Sequence, residues 1–148
     1  MSLAVFRVTQ VVMKDRDNPR LSAIPLILLY RFVTEIILGF ELRPKTIVGP
    51  GLSIHHAFGL VVNDGVMIGR NVDLRNGVTI GHKTPGTYPP VIGHGVEIGA
   101  NAVVIGDIYV ADNSKIGAGA VVTKSCGPNS VMVGNPAQNI AKTPDLSE

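Results

Sequence analysis

Residues 92–122 read IGHGVEIGANAVVIGDIYVADNSKIGAGAVV, and an apolar branched residue returns at every sixth position of this stretch. This first track consists of Ile92, Ile98, Val104, Val110, Ile116 and Val122. A second track of mostly small residues lies four positions further on, at Val96, Ala102, Ile108, Ser114, Ala120 and Cys126. A period of six matches neither the helical repeat of about 3.6 nor the alternation of a plain strand. It predicts an all-β solenoid whose turns each have three short sides and three corners.

The repeat begins near Val48 and loses its phase once, by two residues, within Ile54–Val61. Two of the four histidines, His55 and His56, lie in this stretch. An insertion into a strict repeat bends the backbone and can redirect a side chain, as a β-bulge does. The slip therefore marks a candidate functional position.

A second irregularity separates Ile80 from the next inward residue, Ile92. The intervening segment contains three prolines, which cannot donate to a strand ladder. We expect the residues from His82 to Pro90 to form a loop that projects from one corner. Insertions in solenoids map to loops on one face, often the binding face.

Composition restricts the class of protein. The 148 residues suit one domain, which we place at 46–141, after a helical segment at 1–45 and before a flexible tail at 142–148. A net charge of +2 with 16% charged residues gives no support for nucleic-acid binding. The single cysteine, Cys126, lies on the inward track, so we interpret it as a core residue in a reducing compartment. The first 13 residues lack the pattern of a signal peptide, which favours a soluble cytoplasmic protein.

An apolar segment precedes the repeat. Ser22 is a candidate cap for a helix that runs to about Gly39. Arg31 and Glu35 interrupt its apolar run, which argues against a membrane-spanning helix. The predicted helix is apolar on most sides, as buried helices are, so we expect it to pack against copies of the chain. Peripheral attachment to a membrane is the competing interpretation.

Several segments resemble motifs of the hexapeptide-repeat acyltransferases, and within them of the serine acetyltransferase group. The resemblance covers about residues 41–141 and is carried by Ile54–Val62, Gly77–Gly81, Ile98–Ala102, Ile116–Ala120 and Gly134–Ala137. It is closest to the colanic acid (exopolysaccharide) acetyltransferase branch, because of Ile24-Pro25-Leu26, Leu29-Tyr30-Arg31, Thr34-Glu35, His55-His56 and Asn76–Gly81.

The resemblance implies a left-handed parallel β-helix with a short N-terminal helical segment, assembled as a homotrimer with active sites between neighbouring solenoids. It also implies direct acetyl transfer from acetyl-CoA to an acceptor hydroxyl, without a metal. A hydroxyl is a weak nucleophile at neutral pH and needs a general base that titrates near neutrality. His56 matches the family's catalytic histidine, and Glu41 stands where the family has the aspartate that orients it.

The remaining site residues follow by the same correspondence. We expect contacts to the acceptor from His55, Asn76 and His82. We expect contacts to acetyl-CoA from Gly81, Ala100, Lys115 and Ala118, with Lys115 facing a phosphate or else a solvated charge.

The acceptor is expected to be a hydroxyl of a sugar or polysaccharide precursor. Serine is the alternative, but His55 replaces the aspartate that helps serine acetyltransferases hold the amino acid. Their second substrate-site histidine aligns near Pro89. A non-catalytic trimeric scaffold and a zinc site formed by His56, His82 and His94 are the other hypotheses.

Overall fold

In the computed structural model, residues 3–13 and 21–141 are described, and the expected tail at 142–148 lies outside them. Three sheets of mainly parallel strands form the faces of a solenoid, and the strands up to β13 follow one another in the repeating order first, second, third sheet. The first sheet contains β1 (Glu41–Leu42), β4 (Val61–Val62), β7 (Thr79–Gly81), β10 (Val103–Ile105) and β13 (Val121–Val122). The second contains β2 (Ile47–Val48), β5 (Met67–Ile68), β8 (Val91–Ile92) and β11 (Tyr109–Val110). The third contains β3 (Ser53–Ile54), β6 (Asp73–Leu74), β9 (Glu97–Ile98), β12 (Lys115–Ile116), β14 (Val131–Val133) and the antiparallel β15 (Gln138–Asn139). The predicted parallel β-solenoid is confirmed.

Both tracks of the repeat point into the solenoid axis. All six residues of the first track are buried, as are Val96, Ala102, Ile108, Ser114 and Ala120 of the second. Ser114 satisfies its hydroxyl by donating to the carbonyl of Gly127 at 3.1 Å. Cys126 is half-buried and packs against the core as a free thiol, which agrees with its interpretation as a packing residue.

The strand register shows how the two irregularities change the coils. A regular coil has eighteen residues, as between Val62 and Ile80. The first coil has twenty, because Leu42 pairs with Val62 across the phase slip. The coil from Ile80 to Val104 has twenty-four, because it carries the loop. Both interruptions therefore lie at corners and leave the ladders intact.

The helical segment differs from the expectation in two ways. The predicted helix is present as a 3-10 turn (Leu21–Ala23), α2 (Ile24–Arg31) and a π-helical stretch (Phe32–Ile37). Ser22 lies within the 3-10 turn and is not the cap, which is Ala23 without a side-chain hydrogen bond. A separate helix, α1 (Leu3–Met13), lies within the segment 1–45 that was expected to be helical, although its valines and threonine have low helix propensity. The solenoid begins at Glu41, within the segment 1–45 that the sequence assigned to helix.

Packing against the solenoid explains α1. Phe6, Thr9 and Met13 lie on one face of α1 and are buried. The Arg7 guanidinium donates to the carbonyls of Val48 and Gly49 at 2.7 and 2.6 Å. These contacts override the unfavourable intrinsic propensity.

Tyr30 fastens α2 to the first coil. Its ring is 3% exposed, and its hydroxyl donates to the carbonyl of Leu42 at 2.7 Å. Burial, with a smaller contribution from the negative charge of Glu35, raises the pKa of Tyr30 above its ordinary value. The folded state therefore favours the protonated phenol.

Tyr30→Phe is expected to lower the free energy of unfolding by about 1–3 kcal/mol, because the buried carbonyl of Leu42 loses its donor. Since the folded pKa of Tyr30 lies above the unfolded value of about 10, the wild type should lose stability as pH rises above about 10. Urea unfolding at neutral and alkaline pH tests both effects. Tyr30→Phe should show a shallower alkaline loss, and Tyr109→Phe, at a ring 45% exposed, should match the wild type. Equal stability of all three proteins would contradict the assigned role of the Tyr30 hydroxyl.

The two helices leave an apolar surface uncovered in the single chain. The large exposed residues on it are Val5, Val8, Val11, Val12, Leu21, Ile24, Leu28, Leu29, Phe32, Ile36 and Ile37. Within the described ranges, no helix has the length and apolar character needed to cross a membrane.

Candidate active site

His56 lies in the phase slip, at the corner where the chain passes from the third sheet to the first. Its backbone has a φ of 53°, the left-handed region that non-glycine residues seldom occupy. The imidazole is exposed, and no hydrogen bond to it is formed from the described residues. Such local strain is frequent at functional positions.

A cavity of about 310 Å³ opens beside His56, between the helices and the first coil. Apart from His56, its walls are aromatic or aliphatic: Phe6, Tyr30, Phe40, Leu42, Ile54 and Ala57. The cavity therefore places a potential base beside a space whose other lining side chains are mainly apolar.

Three further predicted residues lie below His56 on successive coils of the same corner. Asn76 follows β6, Ala100 follows β9 and Ala118 follows β12. Backbone hydrogen bonds stack these turns, from Asn101 N to Asn76 O at 2.9 Å and from Gly119 N to Ala100 O at 2.8 Å. The small side chains of Ala100 and Ala118 leave the backbone approachable along this line of three turns, which we call the His56 corner.

Gly81 and His82 lie at a different corner, between the first and second sheets. Gly81 is buried at the end of β7, and a Cβ there would lie 2.4 Å from Asn63 Nδ2. His82 begins the predicted loop, where its Nδ1 lies 2.6 Å from the carbonyl oxygen of Thr87. Within one chain, Gly81 and His82 are therefore separated from the residues of the His56 corner.

Glu41 is ion-paired with Arg43 rather than with His56. The Glu41 Oε1 to Arg43 Nε distance is 2.6 Å, and no hydrogen bond joins Glu41 to His56 in the described structure. The backbone does bring the two segments together. Glu41 N donates to the carbonyl of Leu60, at the end of the loop that begins with His55 and His56.

His55 and Lys115 belong to a shallow groove on the outer face of the third sheet. Their side chains face acidic partners, His55 Nε2 at 3.4 Å from Asp73 Oδ1 and Lys115 Nζ at 2.9 Å from Glu97 Oε1. Arg75 also lines this groove. Lys115 is more than half exposed, as expected of a solvated charge, and it already has a partner in the single chain.

The zinc hypothesis required His56, His82 and His94 to converge. They lie instead at three different corners of the solenoid, with His94 Nδ1 accepting from the backbone N–H of Arg70 at 2.9 Å. Within residues 3–13 and 21–141, no three histidine, cysteine or carboxylate side chains are close enough to hold a metal ion.

Sequence reasoning did not single out Arg75 or Phe58. Arg75 lies next to Asn76 at the His56 corner, and its position after β6 could have indicated this. Phe58 occupies a position of the His56 segment where the resembling motif accepts any residue, and only the structure shows that Phe58 is 78% exposed.

Comparisons with known proteins identify the family of the chain. Residues 89–124 match the family model described as bacterial transferase hexapeptide (six repeats). A putative colanic acid biosynthesis acetyltransferase, WcaB of Escherichia coli K12, is 40% identical over 119 residues, covering 80% of this chain and 74% of the relative.

Two solved serine acetyltransferases share the architecture. The Neisseria gonorrhoeae enzyme in complex with serine is 34% identical, with a TM-score of 0.77, over 92% of this chain and 54% of that one. The Brucella abortus S19 enzyme in complex with coenzyme A is 32% identical, with a TM-score of 0.80, over 95% of this chain and 55% of that one. The chain thus spans about half the length of these two enzymes.

Proposed function

Because this chain belongs to the hexapeptide-repeat transferase family and is an acetyltransferase of the serine acetyltransferase and WcaB type, we propose that it transfers acetyl from acetyl-CoA to a sugar hydroxyl. The acceptor is a sugar or polysaccharide precursor. The observation that carries this proposal is the exposed His56, held in a strained loop above a line of small residues.

His56 acts as a general base. The acceptor hydroxyl gives its proton to the imidazole while its oxygen forms a bond to the thioester carbonyl carbon. The resulting tetrahedral intermediate expels the CoA thiolate, which receives the proton from the imidazolium. The ester and the free thiol are then complete, and His56 is neutral again. Ala100 and Ala118 leave room for the pantetheine chain along the His56 corner.

A homotrimer would complete this site. The loop from His82 to Pro90 projects from a different corner than His56, so it reaches His56 only from a neighbouring chain.

The exposed apolar surface of the two helices supports association, since large apolar patches mark interaction sites. We assign this surface to contacts between copies of the chain. Sedimentation of the purified protein with and without lipid vesicles tests the assignment, and binding to vesicles by a monomer would overturn it.

Glu41 is proposed as the positioning residue for His56. Its carboxylate would exchange Arg43 for the imidazole when the site is complete, and would then stabilise the imidazolium formed during proton transfer. Glu41→Gln should lower kcat by about tenfold, less than loss of the base itself, since glutamine can still accept from an imidazole N–H. The pH profile of kcat separates this role from a structural one, because removing the charge destabilises the imidazolium and should move the rising limb of the profile to lower pH. An unchanged kcat and profile would exclude Glu41 from the mechanism.

One observation favours a saccharide as the acceptor, and another keeps serine as a second candidate. The relative from Escherichia coli is named for colanic acid biosynthesis, which supports a saccharide. Serine is the second candidate, because the groove at His55 contains both acidic and basic side chains, as a zwitterion requires. We further propose a cytoplasmic location, where Cys126 would remain a free thiol.

Release of CoA thiol, with mass analysis of the acceptor, tests the function. The purified protein should consume acetyl-CoA and acetylate at least one sugar of a panel. Consumption of acetyl-CoA without acetylation of any sugar in the panel would contradict the saccharide assignment. A protein that consumes no acetyl-CoA with any hydroxyl acceptor would be the scaffold instead.

A further inference from the structure

Phe58 is an exposed aromatic residue two positions after His56. Its ring is 78% exposed, an unusual position for a side chain whose burial would be favourable. Ala57, the residue between them, lines the same cavity as His56. The ring is therefore part of the short loop that carries the proposed base.

The loop holds the backbone of Phe58 in a defined position. Its carbonyl accepts from Gly77 N at 3.0 Å, and the next residue, Gly59, donates to Gly39 O at 2.7 Å. These two bonds tie the loop to the coil below and to the end of the helical segment. An aromatic side chain on a fixed backbone loses little conformational entropy when it binds a ligand.

The ring of Phe58 packs against the backbone of Gly39. A Cβ at this position would lie 2.7 Å from Phe58 Cε2 and 2.8 Å from Cδ2, and the φ of +67° also favours glycine. The ring thus lies against bare backbone on one side and remains accessible elsewhere.

A shallow groove continues from Gly39 and presents carboxylates. It is lined by Glu35, Gly39, Phe40, Glu41, Leu60 and Val61, and Phe40 is shared with the cavity that contains His56. Arg31 holds the Glu35 carboxylate through contacts of 2.9 and 3.2 Å and lowers the pKa of Glu35. Glu35 therefore stays ionised and can accept hydrogen bonds from hydroxyl groups.

We propose that Phe58 is the platform on which the acceptor's pyranose ring rests, with the carboxylate of Glu35 accepting from its hydroxyls. The C–H groups on one face of a pyranose are apolar and carry partial positive charge, which complements the negative face of an aromatic ring. The hydroxyls around the rim require acceptors such as carboxylates. Serine offers no comparable apolar face. This assignment rests on the proposed sugar acetyltransferase function and specifies how that acceptor is recognised.

The test compares Phe58→Leu, Phe58→Trp and wild type, with methyl glucoside, methyl galactoside and oligosaccharides as acceptors. Leucine keeps the apolar volume but removes the aromatic face, so Phe58→Leu should raise KM for the best saccharide about tenfold. KM for acetyl-CoA should not change, and Phe58→Trp should remain within about twofold of wild type. The control Tyr109→Leu alters a half-exposed aromatic residue on the second sheet and should leave both constants unchanged.

The outcomes separate this inference from the proposed function. Wild-type transfer to a saccharide with an unchanged KM in Phe58→Leu would overturn the platform and leave the function standing. Transfer by the wild type to serine alone would overturn both. If Phe58→Leu sediments as a smaller assembly than wild type, the ring is a contact between subunits and the platform assignment is wrong.

Discussion

His56→Ala is expected to lower the rate of acetyl transfer by about 10²- to 10⁴-fold, because the acceptor hydroxyl loses the base that removes its proton. The side chain is exposed and makes no hydrogen bond within the described structure, so its removal should not disturb packing. The thermal midpoint and the sedimentation coefficient should match those of the wild type. Initial rates of thiol release at saturating acetyl-CoA measure the effect.

His94→Ala is the matched control for this variant. His94 is also exposed, but it lies at another corner, where its Nδ1 accepts from Arg70 N. This substitution should leave the transfer rate within about twofold of wild type, since surface changes away from a site have small effects. Full activity in His56→Ala, or an equal loss in both variants, would contradict the assignment of His56 as the base.

Leu74→Ala is expected to lower the free energy of unfolding by about 2–5 kcal/mol. Leu74 is completely buried in the solenoid axis, on β6 between β3 and β9. Truncation would leave a cavity that the ladders above and below cannot close, because each coil is fixed by hydrogen bonds to its neighbours. Denaturant unfolding monitored by circular dichroism gives the change.

Met67→Ala provides the comparison on the outer face. Met67 is 42% exposed on β5, so its truncation should cost no more than about 0.5 kcal/mol. A Leu74→Ala variant as stable as Met67→Ala would mean that the apolar track does not form a packed core.

The six-residue period was sufficient to predict the solenoid and its core. An apolar residue at every sixth position fits neither a helix nor a plain strand, but it faces the axis in a solenoid with three sides per turn. Val104 and Val110 are fully buried, as the first track requires. The same regularity made the slip at His56 visible, since a deviation of two residues is clear only against a strict pattern. In the structure, this slip gives the first coil twenty residues, where a regular coil has eighteen.

The remaining features depend on contacts distant in the chain. The bounds and contacts of helix α1 could not be predicted, because Arg7 and Phe6 gain their partners only when the first coil is folded. The pairing of Glu41 with Arg43 depends on side-chain geometry that a motif does not contain. The exposed position of Phe58, with its ring against Gly39, is not indicated by the six-residue period. The separation of the projecting loop from the His56 corner becomes visible only when the coils are stacked.

The central claim is that His56 activates a sugar hydroxyl for acetyl transfer. The most direct measurement supplies labelled acetyl-CoA to the wild-type protein with serine and the panel of saccharides together at equal concentrations. The account predicts that the labelled acetyl group appears on a saccharide and that His56→Ala forms no such product above background. Label on serine, with none on any saccharide, would contradict it.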